Sequence, residues 1–136
     1  MFTGDVMMKK VSLIVPCYNE EEALPIFAAE LDKVVQGLES YEFEVLMVND
    51  GSSDGTLKVM KDVSSEYEYF KYISFSRNFG KESAMYAGFC NTSGDYVAVM
   101  DADMQDPPSL LPEMLEILEQ GEYDSVATRR VTRKGE

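Results

Sequence analysis

Apolar stretches and amphipathic stretches alternate along this chain from Lys10 onward. Val11 to Val15 is apolar apart from Ser12, the pattern of a buried strand. Glu20 to Leu38 carries Leu24, Phe27, Ala28, Leu31, Val34 and Val35 at helical spacing and stops near Gly37. Phe43 to Val48 reads as a second strand, and Asp54 to Tyr67 as a helix with Leu57, Met60 and Val63 inward. Phe70 to Phe75 is a third, alternating strand. Gly80 to Cys90 follows as a small-residue helix (Ala84, Ala87, Gly88) suited to close packing on a sheet. Tyr96 to Met100 reads as a fourth strand. Pro108 to Gln120 reads as a helix with Leu111, Met114, Leu115 and Leu118 inward and Gly121 as its C-cap, and Tyr123 to Thr128 as a fifth strand.

Five strands alternating with four helices predict an α/β fold, a mostly parallel Rossmann-like sheet with helices on both faces. The crossovers are expected to be right-handed. At 136 residues the chain fits a single domain, with residues 1–9 read as a flexible N-terminus and 129–136 as a polar basic tail. It shows no internal repeat, low-complexity tract or linker.

Ligands of such sheets bind beyond the carboxyl ends of the strands, near a switch in strand order. The four expected exits are all polar: Pro16-Cys17-Tyr18-Asn19-Glu20, Asn49 to Thr56, Ser76 to Lys81, and Asp101-Ala102-Asp103-Met104-Gln105. The last is the most informative. Residues i and i+2 of a strand share a face, so Asp101 and Asp103 point the same way, and a divalent cation is the natural neutraliser of two such carboxylates. Gln105 adds an amide oxygen, and Pro107 and Pro108 end the strand. Ten Asp in the chain give roughly 0.7 Asp-x-Asp pairs by chance, so the bare spacing is a weak signal. A solvated acidic turn with Asp106 as a helix cap is the competing reading.

The other exits carry alternatives too. Asn49-Asp50-Gly51 suits a tight turn, but the helical pattern that follows favours a strand-to-helix loop with Asp54 as N-cap. That leaves Asp50 to accept from a base N–H or a ribose hydroxyl. Tyr18 offers a ring for stacking on a base or for the core. Arg77 and Lys81 are the basic pair at these ends, fit for a phosphate or for a salt bridge within an acidic surface.

Composition narrows the chemistry. The net charge of −13 argues against nucleic acid and against electrostatic adhesion to anionic lipid. With no His, imidazole metal sites and Ser-His-Asp or Cys-His catalysis are excluded for this chain. No apolar run approaches a membrane span, and the one after Lys9 and Lys10 is too short for a signal peptide. Cys17 and Cys90 sit in apolar segments and are expected to be buried free thiols in a reducing compartment. The Walker pattern and a Gly-x-Gly-x-x-Gly after the first strand are both missing.

Taken in order, VSLIVPCYNEEEALP, VNDGSSDGT, SRNFGKESAMYAGF and MDADMQDPP resemble the family 2 glycosyltransferases, from about Lys10 to Thr128. The Asp-x-Asp-x-Gln-Asp-Pro-Pro and Arg-Asn-Phe-Gly-Lys-Glu forms resemble the branch that moves a sugar onto a polyprenyl phosphate (dolichol or undecaprenyl phosphate). The resemblance implies a GT-A fold, a nucleotide-sugar donor (UDP-glucose-like or GDP-mannose-like) and inversion at the anomeric carbon. It implies that Pro16, Tyr18, Asn19 and Glu20 line the nucleotide pocket, and that Asp50, with Ser52, holds the base or ribose. Arg77, Asn78 and Lys81 then lie in the segment that closes over the donor. Asp101, Asp103 and Gln105 hold Mg²⁺ or Mn²⁺, with Asp103 as the catalytic carboxylate.

The family's catalytic domain is longer. This chain therefore reads as a C-terminally truncated, donor-binding part, soluble and inactive alone. The acceptor side and membrane helices would follow, and the full protein would work at the cytoplasmic face of a membrane. Arg129, Arg130, Arg133 and Lys134 would then head toward the lipid phosphate. A saccharide acceptor, or a non-catalytic nucleotide-binding module, are the other readings.

Overall fold

The computed structural model describes residues 8–105 and 107–120. Four parallel strands form one sheet in the order β3-β2-β1-β4: β1 (Lys9–Cys17), β2 (Tyr41–Asn49), β3 (Phe70–Ser74) and β4 (Tyr96–Val99). The expected fifth strand, the expected C-cap Gly121 and the basic tail lie outside the described residues. The helices are α1 (Ala23–Gln36), α2 (Thr56–Glu66), α3 (Lys81–Cys90) and α4 (Leu111–Glu119), the last preceded by a 3-10 turn over Pro108–Leu110. Among the described residues no helix is long and apolar enough to cross a membrane.

Register sorts the side chains by face. Val11 pairs with Phe43 and Leu13 with Val45, and these join Val15, Met47 and Phe70 in the main core. Leu24, Phe27, Ala28 and Leu31 of α1, Met60 and Val63 of α2, and Leu111 and Leu115 of α4 close over that face. Ile14, Leu46 and Val48 point to the opposite face, where Ala84 of α3 meets them. A Cβ on Gly88 would fall 2.4 Å from Ile14 Cγ2, so that glycine sets the close approach of α3 to β1. Both faces are thus covered, as expected.

The order reverses at β1. The chain steps from β1 to β2 to β3 in one direction, then crosses back to β4 on the far side of β1. With one hand for every crossover, that reversal requires α3 on the opposite face from α1 and α2, where it lies. The crevice between β1 and β4 is therefore the switch point.

Pro16 sharpens it. The Ile14 carbonyl accepts from Met100 N–H, and Pro16, two residues on, faces the same neighbour with no N–H to give. The β1–β4 ladder stops there, and the two exits diverge.

Helix α1 begins three residues later than the pattern suggests. Glu20 N–H donates to Thr56 Oγ1 and Glu21 N–H to Asp54 Oδ2, so the first donors of this segment serve the neighbouring loop. Helix α2 starts at Thr56 with Gly55 in the cap position, while Asp54 accepts from Thr56 N–H at 2.9 Å. The expected capping carboxylate is present, displaced by one residue. The expectation for the cysteines holds only in part. Both are free and Cys17 is buried, but Cys90 is exposed, because Ala84 and Gly88 take the sheet-facing positions of α3.

Candidate functional site

The segments that follow all four strands build the switch-point crevice. After β1 the chain turns at Asn19, which adopts a left-handed φ of 55°. Its carboxamide oxygen accepts from Ser53 N–H at 2.9 Å, and its own N–H donates to Ser52 Oγ at 2.9 Å. Asn49 Oδ1 accepts from Ser52 N–H, closing the loop after β2 on itself. Gly51 has φ of 70°, and a Cβ there would meet the Arg77 carbonyl carbon at 2.2 Å. The loops after β1 and β2 are therefore locked by side-chain-to-backbone bonds, and those after β2 and β3 by the close backbone approach at Gly51.

Asp50 is the centre of that lock. It is buried, and its carboxylate accepts from Asn78 Nδ2 at 3.0 Å, Phe79 N–H at 2.8 Å and Gly80 N–H at 3.1 Å. These bonds fix the segment that leads into α3 and so place Lys81, the first residue of that helix. Lys81 Nζ then reaches Asp101 Oδ1 at 2.8 Å across the crevice.

Asp101 and Asp103 arrive by a different route from the one their spacing suggests. β4 ends at Val99, so the pair sits in a turn beyond the strand, with Met104 at φ of 68°. Ala102 between them is fully buried and anchors the turn. Both carboxylates nevertheless line the crevice. Gln105 donates to Asp103 through its backbone N–H at 3.1 Å and its side-chain amide at 2.8 Å, bracing that carboxylate. Asp106 lies outside the described residues.

The resulting cavity, about 270 Å³, is lined by Pro16, Cys17, Tyr18, Glu20, Asp50, Lys81, Asp101, Asp103 and Gln105. Tyr18 is half exposed, leaving its ring face accessible rather than built into the core. Burial, and then the negative charges of Asp103, Asp101 and Asp54, raise the Glu20 carboxyl above its ordinary value. Burial pushes the Cys17 thiol strongly up, with Glu20 and Asp101 adding to it, so it is inert lining.

Eight of the twelve candidate residues thus line one crevice: Pro16, Tyr18, Glu20, Asp50, Lys81, Asp101, Asp103 and Gln105. The other four lie outside its lining. Asn19, Ser52 and Asn78 are engaged in loop-to-loop bonds, and the Arg77 guanidinium lies 4.5 Å from the Phe79 ring centroid. Cys17 and Thr56 were not singled out by the sequence. Cys17 lines the crevice, and the buried Thr56 hydroxyl holds Glu20 N–H. Each sits within a conspicuous motif, and that was the available signal.

A parallel sheet with an acid-lined crevice at the reversal of strand order is a doubly wound α/β architecture, and its solved structural neighbours are GT-A glycosyltransferases. Residues 12–136 match the model of Glycosyl transferase family 2, and the chain belongs to that family. It is 39% identical over 128 residues to an undecaprenyl-phosphate 4-deoxy-4-formamido-L-arabinose transferase of Photorhabdus laumondii, covering 93% of this chain and 39% of that one. It is 40% identical over 124 residues to a bactoprenol glucosyl transferase of Shigella phage SfX, covering 91% and 40%. A mannosyltransferase of Pyrobaculum calidifontis, solved in complex with GDP-Man and Mn²⁺, shares the fold. Its TM-score is 0.65 at 23% identity, over 82% of this chain and 33% of that one. The chain spans about two fifths of the length of the curated relatives it matches.

Proposed function

We propose that this chain carries the donor side of an inverting glycosyltransferase that moves a sugar from a nucleotide-sugar to a polyprenyl phosphate. The observation that carries the reading is the gathering of Tyr18, Glu20, Lys81, Asp101, Asp103 and Gln105 around one crevice at the switch point. The names of the two relatives specify an undecaprenyl-phosphate and a bactoprenol acceptor, which supports a lipid phosphate here. A UDP-glucose-like or GDP-mannose-like donor is the proposed sugar source. The lipid acceptor supports a reaction at a membrane, and the nucleotide-sugar donor favours its cytoplasmic face.

The donor set fits a divalent cation. Glu20, Asp101 and Asp103 bring hard carboxylate oxygens to one cavity, where burial, and then the charges of Asp103, Asp101 and Asp54, raise the Glu20 carboxyl. Among the described residues no three acidic or thiol side chains are placed to hold a metal by themselves. We propose that the donor diphosphate supplies the remaining ligands. Asp101, Asp103 and Gln105 would hold Mg²⁺ or Mn²⁺, which when bound neutralises the charge developing on the leaving nucleoside diphosphate.

The chain's own residues do the positioning. Tyr18 presents its ring to the base, and Pro16 opens the crevice by ending the ladder. Asp50 orders the segment at 78–80, which aims Lys81 at the phosphate end. Gln105 orients Asp103. The acceptor phosphate is already an anion, so attack on the anomeric carbon needs no strong base.

The test is sugar transfer by the protein at full length. Radiolabelled UDP-glucose and GDP-mannose are offered with undecaprenyl phosphate and Mn²⁺, and label is counted in the organic phase. Label should enter the lipid, and Asp103→Asn should reduce it on the order of 100-fold. Label in a water-soluble saccharide would move the acceptor to a sugar hydroxyl. Binding of nucleotide without any transfer would leave a nucleotide-binding module.

A further inference from the structure

Lys81 is the basic residue lining a crevice otherwise lined by acidic and neutral side chains, and it is already paired. Its ammonium sits 2.8 Å from Asp101 Oδ1, with the Lys81 side chain 57% exposed and that of Asp101 23%. With more than half of its side chain exposed to solvent, the Lys81 stem has room to swing. Resting on the donor-site reading above, we propose that the Lys81–Asp101 pair is an exchangeable latch. Lys81 takes the cation's place on Asp101 in the free protein and transfers to the donor diphosphate when metal and nucleotide enter together.

A divalent ion on Asp101 and an ammonium on the same carboxylate would be close like charges, so a metal arriving alone must dislodge Lys81. An exposed Lys–carboxylate pair is worth little, so the obstacle is small and reversible. A diphosphate changes the balance, because it offers the released ammonium a strongly anionic, charge-assisted partner. Asp50 keeps the start of α3 fixed during the exchange through its bonds to Phe79 and Gly80 N–H. Movement at Lys81 is thereby confined to its side chain. Metal and nucleotide then strengthen each other's binding by the same factor, as linkage requires.

The test is a Mn²⁺ titration of the chain by electron paramagnetic resonance, without nucleotide and then with UDP or GDP, on the wild type, Lys81→Met and Lys81→Arg. Lys81→Met should bind Mn²⁺ alone about fivefold more tightly. The factor by which the diphosphate tightens Mn²⁺ should fall at least as much, while Lys81→Arg stays near the wild type. Unchanged or weaker binding of Mn²⁺ alone by Lys81→Met, with Mn²⁺–nucleotide binding intact in the wild type, overturns the latch and leaves the donor-site reading standing. A wild type that binds neither Mn²⁺ nor either nucleotide overturns that reading and the latch with it.

Discussion

Replacing Asp50 with Asn tests whether this carboxylate is a clamp or a ligand contact. Its two oxygens face three donors, Asn78 Nδ2, Phe79 N–H and Gly80 N–H, at 2.8 to 3.1 Å, and the residue is 4% exposed. An Asn can keep one oxygen toward Phe79 and Gly80. Its NH₂ then points at the Asn78 amide, which already donates to the Asp50 carbonyl as well. One charge-assisted bond, worth about 1.5–3 kcal/mol, is lost and the others weaken. The loop has little freedom to relax, because Gly51 lies against the Arg77–Asn78 backbone. A destabilisation of about 2–3 kcal/mol follows, or roughly 6–12 °C in melting temperature for a domain of this size. Thermal unfolding followed by circular dichroism reads it directly. A melting temperature within about 2 °C of wild type would refute the clamp, and a tenfold loss of nucleotide affinity without that shift would make Asp50 a base or ribose contact.

Other perturbations probe different parts of the account. Gly88→Ala puts a Cβ 2.4 Å from Ile14 Cγ2, against the body of a packed core side chain. It should destabilise by about 1–3 kcal/mol in urea unfolding, and the loss should shrink in an Ile14→Ala background, which lacks Cγ2. Glu44 is nearly buried, and burial opposes its ionisation. Bonds from Ser12 Oγ, Ser93 N–H and Lys10 outweigh that and hold its carboxyl below the ordinary value of 4.5. Its folded value lies below the unfolded one, so its stabilisation is complete above about pH 4.5 and is lost as pH falls below that. Glu44→Gln should flatten this acid limb of the stability profile. Of the two thiols, the exposed Cys90 should react with a chromogenic disulfide reagent in the native protein. The buried Cys17, its pKa pushed up, should react only on unfolding.

The fold was legible because β1 and β2 are buried on both faces, so Val11–Val15 and Phe43–Val48 are apolar apart from Ser12 and Glu44, which bond each other, and α1 shows its inward row at helical spacing. The crevice was legible because strand exits in a parallel sheet converge on one edge. What escaped was whatever depends on partners distant in sequence. Nothing local to Glu20 and Glu21 reveals that their N–H groups go to Thr56 and Asp54 and delay α1. The role of Asp50 depends on Asn78, Phe79 and Gly80, 28 to 30 positions away. The Asp101/Asp103 pair was found through a strand periodicity that ends two residues too early, at Val99. The turn around the buried Ala102 brings both carboxylates to the same cavity. Cys90 looked buried by neighbourhood, but a helix face is chosen by Ala84 and Gly88, not by local hydrophobicity.

The central claim is that the crevice between β1 and β4 holds a nucleoside diphosphate through a divalent cation on the Asp101–Gln105 turn. Isothermal calorimetry of the chain with UDP and GDP, with and without Mn²⁺, tests it most directly. At least one nucleotide should bind, more tightly with Mn²⁺, and Asp103→Asn should abolish the metal's contribution without lowering the melting temperature. Nucleotide binding that is indifferent to Mn²⁺ and to Asp103→Asn, or no binding of either nucleotide under any condition, would contradict it.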